Sequence, residues 1–109
     1  MPSYLVQVAY TPEALSTIIA KPQNRIDVVR KVIKKLGGKL SGAWMAFGEY
    51  DTITVVEMPD NVSAAAFALA ISAGGSCKAV KTTPLISVEE GMAAFEKAAS
   101  TGYKPVGAE

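Results

Sequence analysis

The sequence predicts one α+β domain built on a four-stranded antiparallel sheet, on the basis of its length, its apolar periodicity and the order of its elements. A chain of 109 residues fits a single domain and can bury roughly 65% of its unfolded surface. Apolar residues alternate in four short stretches and recur at helical spacing between them. The order is β-α-β-β-α-β and then a last helix, so we assign residues 1–99 to the domain and the Gly- and Pro-containing residues 100–109 to a flexible tail.

The first third of the chain predicts one strand and two helices. Tyr4 to Tyr10 is apolar on both faces, which is typical of a central strand covered on both sides. Thr11 and the proline after it open a short helix over residues 13–19. A longer helix is expected over residues 24–36, where apolar side chains form one stripe at helical spacing.

The middle of the chain predicts a β-hairpin. The second strand is expected over residues 39–47, and the third over residues 50–58, which contain the β-branched run 53–56. Gly48-Glu49 between them fits a two-residue loop, because glycine readily adopts the positive φ that a type II′ turn requires.

The last third predicts a helix, an edge strand and a second helix. Asp60 is expected to cap a helix that reaches Ala73. The fourth strand spans residues 76–85, and Pro84 places it at a sheet edge because proline cannot donate to a β-ladder. Ser87-Val88-Glu89-Glu90 has the spacing of a capping box and starts the terminal helix.

This order of elements is the ferredoxin-like βαββαβ pattern with a C-terminal helix added. Right-handed crossovers place the first and third strands at the centre of the antiparallel sheet and put the helices on one face. The second face is then left apolar. Since 50% of the residues are hydrophobic, which is rich for a monomer of this size, we expect a homo-oligomer, a dimer or larger, that associates through the sheet.

The composition excludes several kinds of chemistry. The sequence has no histidine, which removes Ser-His-Asp and Cys-His catalytic arrangements and the usual zinc and haem sites. Its lone cysteine, Cys77, excludes an internal disulfide and a multi-cysteine metal site. We therefore expect no metal and no cofactor. The net charge of +1 gives no argument for nucleic acid, and no apolar run approaches the ~20 residues of a membrane span. With no secretion signal at the N-terminus, the expected location is the cytoplasm.

The candidate site residues gather around the predicted hairpin. Asp51 and Glu49 are candidate catalytic bases, because a carboxylate beside an apolar cavity can accept a proton. Tyr50, Trp44 and Tyr4 are candidate ligand-binding residues that would line a pocket. All five also have a structural interpretation, in which the polar residues form the turn and bond backbone N–H groups while the aromatic ones fill the core or an interface.

Four segments carry a family resemblance: Tyr10-Thr11, Leu36-Gly37-Gly38-Lys39, Gly48-Glu49-Tyr50-Asp51 and Glu57-Met58-Pro59-Asp60. Together, over about residues 3–99, the chain resembles the GYD-domain family. That family is similar to the dimeric α/β-barrel group, in which ferredoxin-like subunits associate through their sheets and which includes cofactor-free monooxygenases, haem enzymes and proteins of unknown role. The resemblance implies the fold and this mode of association, and it implies no particular activity.

Three classes of function are consistent with these observations. The leading one is a small-molecule-binding or sensing module, whose apolar or amphipathic ligand would be anchored by Asp51 and Tyr50. The alternatives are a cofactor-independent enzyme on a small organic substrate, with Asp51 or Glu49 as its base, and a purely structural assembly subunit. An enclosed pocket lined by Trp44 or Tyr50 would favour binding or catalysis. A sheet face fully packed by the partner subunit, together with an Asp51 bonded only to backbone, would favour assembly.

Overall fold

The computed structural model describes residues 1–108, which form four strands and four helices. The strands are β1 (Ser3–Tyr10), β2 (Lys39–Met45), β3 (Thr52–Glu57) and β4 (Cys77–Leu85). The helices are α1 (Pro12–Ala20), α2 (Arg25–Lys35), α3 (Asn61–Ala73) and α4 (Val88–Ala99). The predicted α+β class and the predicted order of elements are confirmed.

The four strands form one antiparallel sheet in the order β2-β3-β1-β4. As predicted, β1 and β3 are central and β2 and β4 lie at the edges. Pro84 sits in β4 opposite Tyr4 of β1, so its missing N–H falls on an edge strand, where the loss of one ladder bond costs least.

The hydrophobic core lies between one face of the sheet and the helices α2 and α3. Alternate residues of β1 and β3 point into it, together with Ile33 of α2 and Phe67 of α3; the strand residues are Tyr4, Val6, Val8 and Val56. Burial of such apolar side chains contributes about 1.5–3 kcal/mol each and is the main force holding α2 and α3 on the sheet.

The opposite face of the sheet, which we call the open sheet face, carries the residues of the other parity. The cross-strand register places the middle of this face in two rows: Trp44, Ile53, Gln7 and Lys81 in one, and Gly42, Val55, Leu5 and Thr83 in the next. A row of Lys39, Glu57, Ser3 and Leu85 follows at one end. The middle of the open sheet face is therefore apolar around Trp44, Ile53, Val55 and Leu5, and it becomes polar towards β4 and towards the end that carries Lys39 and Glu57.

Side chains begin the helices in the way that the sequence predicts. Thr11, Asp60 and Ser87 each accept a hydrogen bond from a backbone N–H in the first turn, at 3.1, 2.8 and 3.0 Å. The carboxylate of Glu90 in turn accepts from the N–H of Ser87 at 3.2 Å, which completes the predicted capping box.

The predicted two-residue hairpin loop is wrong. The second strand ends at Met45 instead of residue 47, and β3 begins at Thr52, so residues 46–51 form the connection. The N–H of Ala46 donates to the carbonyl of Asp51 at 2.8 Å and closes this longer loop. Gly48 has a φ of 150°, a positive value that favours glycine, but it lies within a wider loop.

Helix α4 extends away from the rest of the domain. All its residues except Gly91 are exposed, including the apolar side chains of Val88, Met92 and Phe95. The chain measures 59 × 33 × 22 Å and has a radius of gyration of 17.7 Å. A compact chain of this length would have a radius of gyration of about 13 Å. Residues 100–108, which follow α4, contain no helix or strand.

Candidate functional site

Asp51 holds the 46–51 loop against β1. Its Oδ2 accepts the N–H of Tyr10 at 2.8 Å, and its own N–H donates to the carbonyl of Val8 at 2.8 Å. The β1–β3 pairing ends at Val8 and Thr52, so the carboxylate supplies the acceptor that β3 no longer offers to Tyr10. The contacts of this carboxylate are therefore those of a backbone clamp, and its proposed role as a catalytic base stays a prediction.

The other polar residues of the loop are dispersed around it. Glu49 is exposed and Tyr50 is half-buried. Neither residue lines the two grooves described below. The structure thus brings Asp51 to the backbone of β1 and leaves Glu49 in solvent, and it does not join the two carboxylates in one cavity.

Trp44 lies on the open sheet face. A Cβ added to Gly42 would come within 2.6 Å of the indole, which shows that the ring lies across this glycine. Trp44 remains 58% exposed in this position. It is therefore a surface side chain held flat on its own strand, available to contact another molecule, and not part of the core.

Two more apolar side chains continue from Trp44 towards the loop. Met45 is exposed and Phe47 is fully exposed, at 102% of its reference area. We call Trp44, Met45 and Phe47 the aromatic tip. Aromatic residues and methionine are enriched where proteins bind one another. The sequence contains this signal as the run 44–47, but the strand predicted there placed Phe47 in the sheet instead of in the 46–51 loop.

Tyr4 is buried, at 3% exposure, and its hydroxyl donates to Oδ1 of Asn61 at 2.5 Å. This bond ties β1 to the start of α3. Both residues line a surface groove of about 760 Å³ between the N-terminus and the start of α4; its walls also include Ser3, Pro84, Leu85 and Ser87. Asn61 was not among the predicted residues, although a buried tyrosine hydroxyl signals the need for some polar partner.

A smaller groove of about 280 Å³ lies beside the start of α1 and α2 and includes Thr11, Glu13 and Arg25 in its walls. Near it, burial raises the pKa of the Cys77 thiol, and the positive charge of Arg25 only partly opposes this. A raised pKa lowers the fraction of thiolate at neutral pH, which makes Cys77 a poor nucleophile. Its side chain packs against the hydrophobic core.

In residues 1–108 no three Cys, Asp or Glu side chains come together as a metal ion would require. No helix in the same range is both long enough and apolar enough to cross a bilayer.

The fold and its uncovered faces define the class of this protein: a small ferredoxin-like α+β domain that exposes an apolar sheet face and an aromatic tip. The crystal structure of FFRP-DM1 is similar in fold, with a TM-score of 0.50 and 18% sequence identity, covering 79% of this chain and 100% of that one. Within the class, the family model of the GYD domain matches residues 4–95, and the chain belongs to the GYD family.

One curated relative has a name that describes what it binds. The glutamine synthetase and cystathionine beta-lyase binding protein of Thermus thermophilus is 26% identical over 78 residues, which cover 72% of this chain and 82% of that protein.

Proposed function

We propose that this GYD-domain protein is a protein-binding module that works as a homo-oligomer and docks on an enzyme. The observation that carries the proposal is the exposure of three large apolar side chains: Trp44 on the open sheet face, Met45 next to it in β2, and Phe47 in the loop that follows. Aromatic residues and methionine are enriched where proteins bind one another. The open sheet face would bind a second copy, and the protruding Phe47 would contact the partner enzyme.

The contacts of Asp51 support binding over catalysis. Its Oδ2 and N–H bond only β1 backbone, at Tyr10 and Val8, and so hold the loop that presents Phe47. The carboxylate thereby fixes the conformation of the loop that carries Phe47. The free thiol of Cys77 fits a reducing compartment, so we place this activity in the cytoplasm.

The relative from Thermus thermophilus supports an enzyme as the partner, because its name states that it binds glutamine synthetase and cystathionine beta-lyase. We extend this to the present chain as a proposal. Glutamine synthetase and cystathionine beta-lyase from the organism that carries this chain are accordingly the first partners to test.

Binding of a small molecule is the second candidate function. The groove of about 760 Å³ has the size of a ligand site, and it combines apolar walls with polar groups from Ser3, Asn61 and Ser87. A small apolar or amphipathic ligand there would lie against Tyr4. Of the predicted pocket residues only Tyr4 lies in a groove, and a cofactor-independent reaction with Asp51 or Glu49 as base has no comparable support in the geometry.

The proposal is tested by titrating each purified enzyme against the immobilised protein in biolayer interferometry. We expect saturable binding of at least one enzyme by the wild type. The Phe47→Ser substitution should weaken it at least tenfold, as for a truncated hot-spot side chain. The matched control is Ile19→Ser on α1, which changes an exposed apolar residue away from the aromatic tip.

Two results would overturn the proposed docking on an enzyme. One is an absence of binding to both enzymes at micromolar concentrations. The other is binding that Phe47→Ser and Ile19→Ser reduce equally, which would show that general surface hydrophobicity is responsible and not the aromatic tip.

A further inference from the structure

Helix α4 has an apolar stripe without a covering layer in its own chain. Val88, Met92 and Phe95 follow one another at spacings of four and three residues and so share one side of the helix, and all are exposed. Glu89 and Glu96 lie about two helical turns apart along one flank of that stripe. The helix therefore presents an apolar strip with an acidic border.

An uncovered helix of this length is not expected to persist by itself. α4 has 12 residues, and isolated helices shorter than about 12–15 residues are marginal in water. The stripe exposes on the order of 400 Å² of apolar surface, since a single aromatic side chain can bury 150–250 Å². This is the size of patch that marks an interface with another molecule.

The open sheet face has the complementary character. Trp44, Ile53, Val55 and Leu5 form its apolar part, and Lys81 stands beside Gln7 on the β4 side of it. A helix packed on the apolar part with its acidic border towards β4 would bring glutamates to this lysine. A single orientation of α4 therefore places its apolar stripe on the apolar part of the open sheet face and its glutamates beside Lys81.

We infer that α4 of one copy packs on the open sheet face of a second copy, and that the second copy returns the same contact. The inference rests on the proposed homo-oligomer and specifies which segment covers the sheet. Only residues 86 and 87 separate β4 from α4, and every residue of α4 except Gly91 is exposed, so α4 extends away from its own domain. A reciprocal exchange closes as a twofold dimer and covers both apolar surfaces of each copy.

Pairing of two α4 helices with each other explains the observations less well. In an antiparallel pair the same flanks meet, so Glu89 of one helix would approach Glu96 of the other. Like charges that face each other across two associating surfaces oppose their association. The acidic border therefore favours a basic counterpart, which Lys81 supplies.

The first test is sedimentation velocity of the full chain over a range of concentrations. Phe95→Ser should raise the dimer dissociation constant at least tenfold. Leu69→Ser is the matched control, because Leu69 on α3 is 69% exposed and Phe95 is 71% exposed, and it should leave dimerisation unchanged. Trp44→Ser should weaken the dimer as Phe95→Ser does.

The outcomes separate this inference from the proposed function. If Trp44→Ser dissociates the dimer and Phe95→Ser does not, α4 is not part of the interface. That result would overturn this inference and leave association through the sheet intact. A wild-type protein that is monomeric at every concentration would overturn both this inference and the proposed homo-oligomer.

The second test uses disulfide formation in a Cys77→Ser background. A Met92→Cys variant and a Val55→Cys variant are mixed and oxidised, and a covalent heterodimer of the two is the expected product, since each carries a single cysteine. A Val55→Cys variant that instead links efficiently to itself would show two sheets packed face to face and would overturn the inference.

The charge match gives a third readout. Lys81→Glu should weaken the dimer at low ionic strength, and adding Glu96→Lys to the same chain should restore it. Weakening without restoration would contradict the proposed orientation of α4.

Discussion

Substitution of Asp51 gives the sharpest test of what the loop carboxylate does. In Asp51→Ala the N–H of Tyr10 loses its acceptor at 2.8 Å. A hydrogen bond to a charged group contributes about 1.5–3 kcal/mol, and a half-buried N–H regains part of this from water, so we expect a loss near the lower limit, about 1.5 kcal/mol. Asp51→Asn keeps an acceptor oxygen without the charge and should lose about half as much.

These losses translate into measurable shifts. Unfolding entropy near Tm is about 2.1 cal/mol/K per residue, so about 1.5 kcal/mol lowers Tm by about 7 °C in a chain of this size, and the asparagine variant should lose about 3 °C. Circular dichroism during heating and during urea titration checks both values. All variants are compared at one protomer concentration, because association would otherwise change Tm by mass action.

The control is Glu49→Ala, which changes the exposed carboxylate two positions earlier and should shift the free energy of unfolding by less than about 0.5 kcal/mol. Equal losses in Asp51→Asn and Asp51→Ala would refute the idea that the hydrogen bond to Tyr10 is what matters. An equal loss in Glu49→Ala would point to general loop electrostatics instead of this clamp.

Two further predictions concern backbone packing and pH. Gly38→Ala should destabilise the fold by about 1–3 kcal/mol, because the new Cβ would lie 2.5 Å from the carbonyl oxygen of Glu57. In the control Gly74→Ala the nearest atom to the new Cβ is 3.6 Å away, so this substitution should be neutral or slightly stabilising. Equal urea midpoints for the two variants would contradict this expectation. The hydrogen bond from the backbone N–H of Ser63, at the start of α3, lowers the pKa of Asp60 below the value of 3.8 expected in the unfolded chain. The ionised carboxylate therefore stabilises the fold fully at pH values above 3.8, and this stability is lost as the pH falls through the lower pKa of the folded state. The urea midpoint of Asp60→Asn, which keeps a capping oxygen, should therefore approach that of the wild type as the pH is lowered from 6 to 3, and a constant difference would show that Asp60 does not contribute in this way.

Local chemistry explains which elements could be predicted from the sequence. Thr11, Asp60 and Ser87 mark helix starts because each satisfies N–H groups within three residues of itself, so the signal is complete in a short window. The place of β4 at the sheet edge follows from Pro84 and from the handedness of the crossovers.

The 46–51 loop could not be predicted in the same way, because its conformation depends on distant residues. Asp51 bonds Val8 and Tyr10, which lie more than forty positions earlier; the separation between Tyr10 and Asp51 is 41 positions. The positive φ of Gly48 is compatible both with a two-residue turn and with the wider 46–51 loop. A prediction from local turn preference alone therefore gave the two-residue turn, which is wrong. The direction of α4 away from the domain could not be predicted either. The helical periodicity of its sequence indicates an apolar stripe but does not indicate which surface the stripe contacts.

The clamp at Asp51 also has a kinetic consequence for binding. Phe47 projects from a loop closed by the bond from Ala46 to Asp51 and anchored to β1, so its position is set before any partner arrives. A pre-ordered contact avoids the loss of loop freedom that association otherwise incurs. If Phe47 meets the partner as proposed, Asp51→Ala should slow association with that partner even though Asp51 bonds only its own chain. A carboxylate outside the contact surface would then govern how fast the module docks.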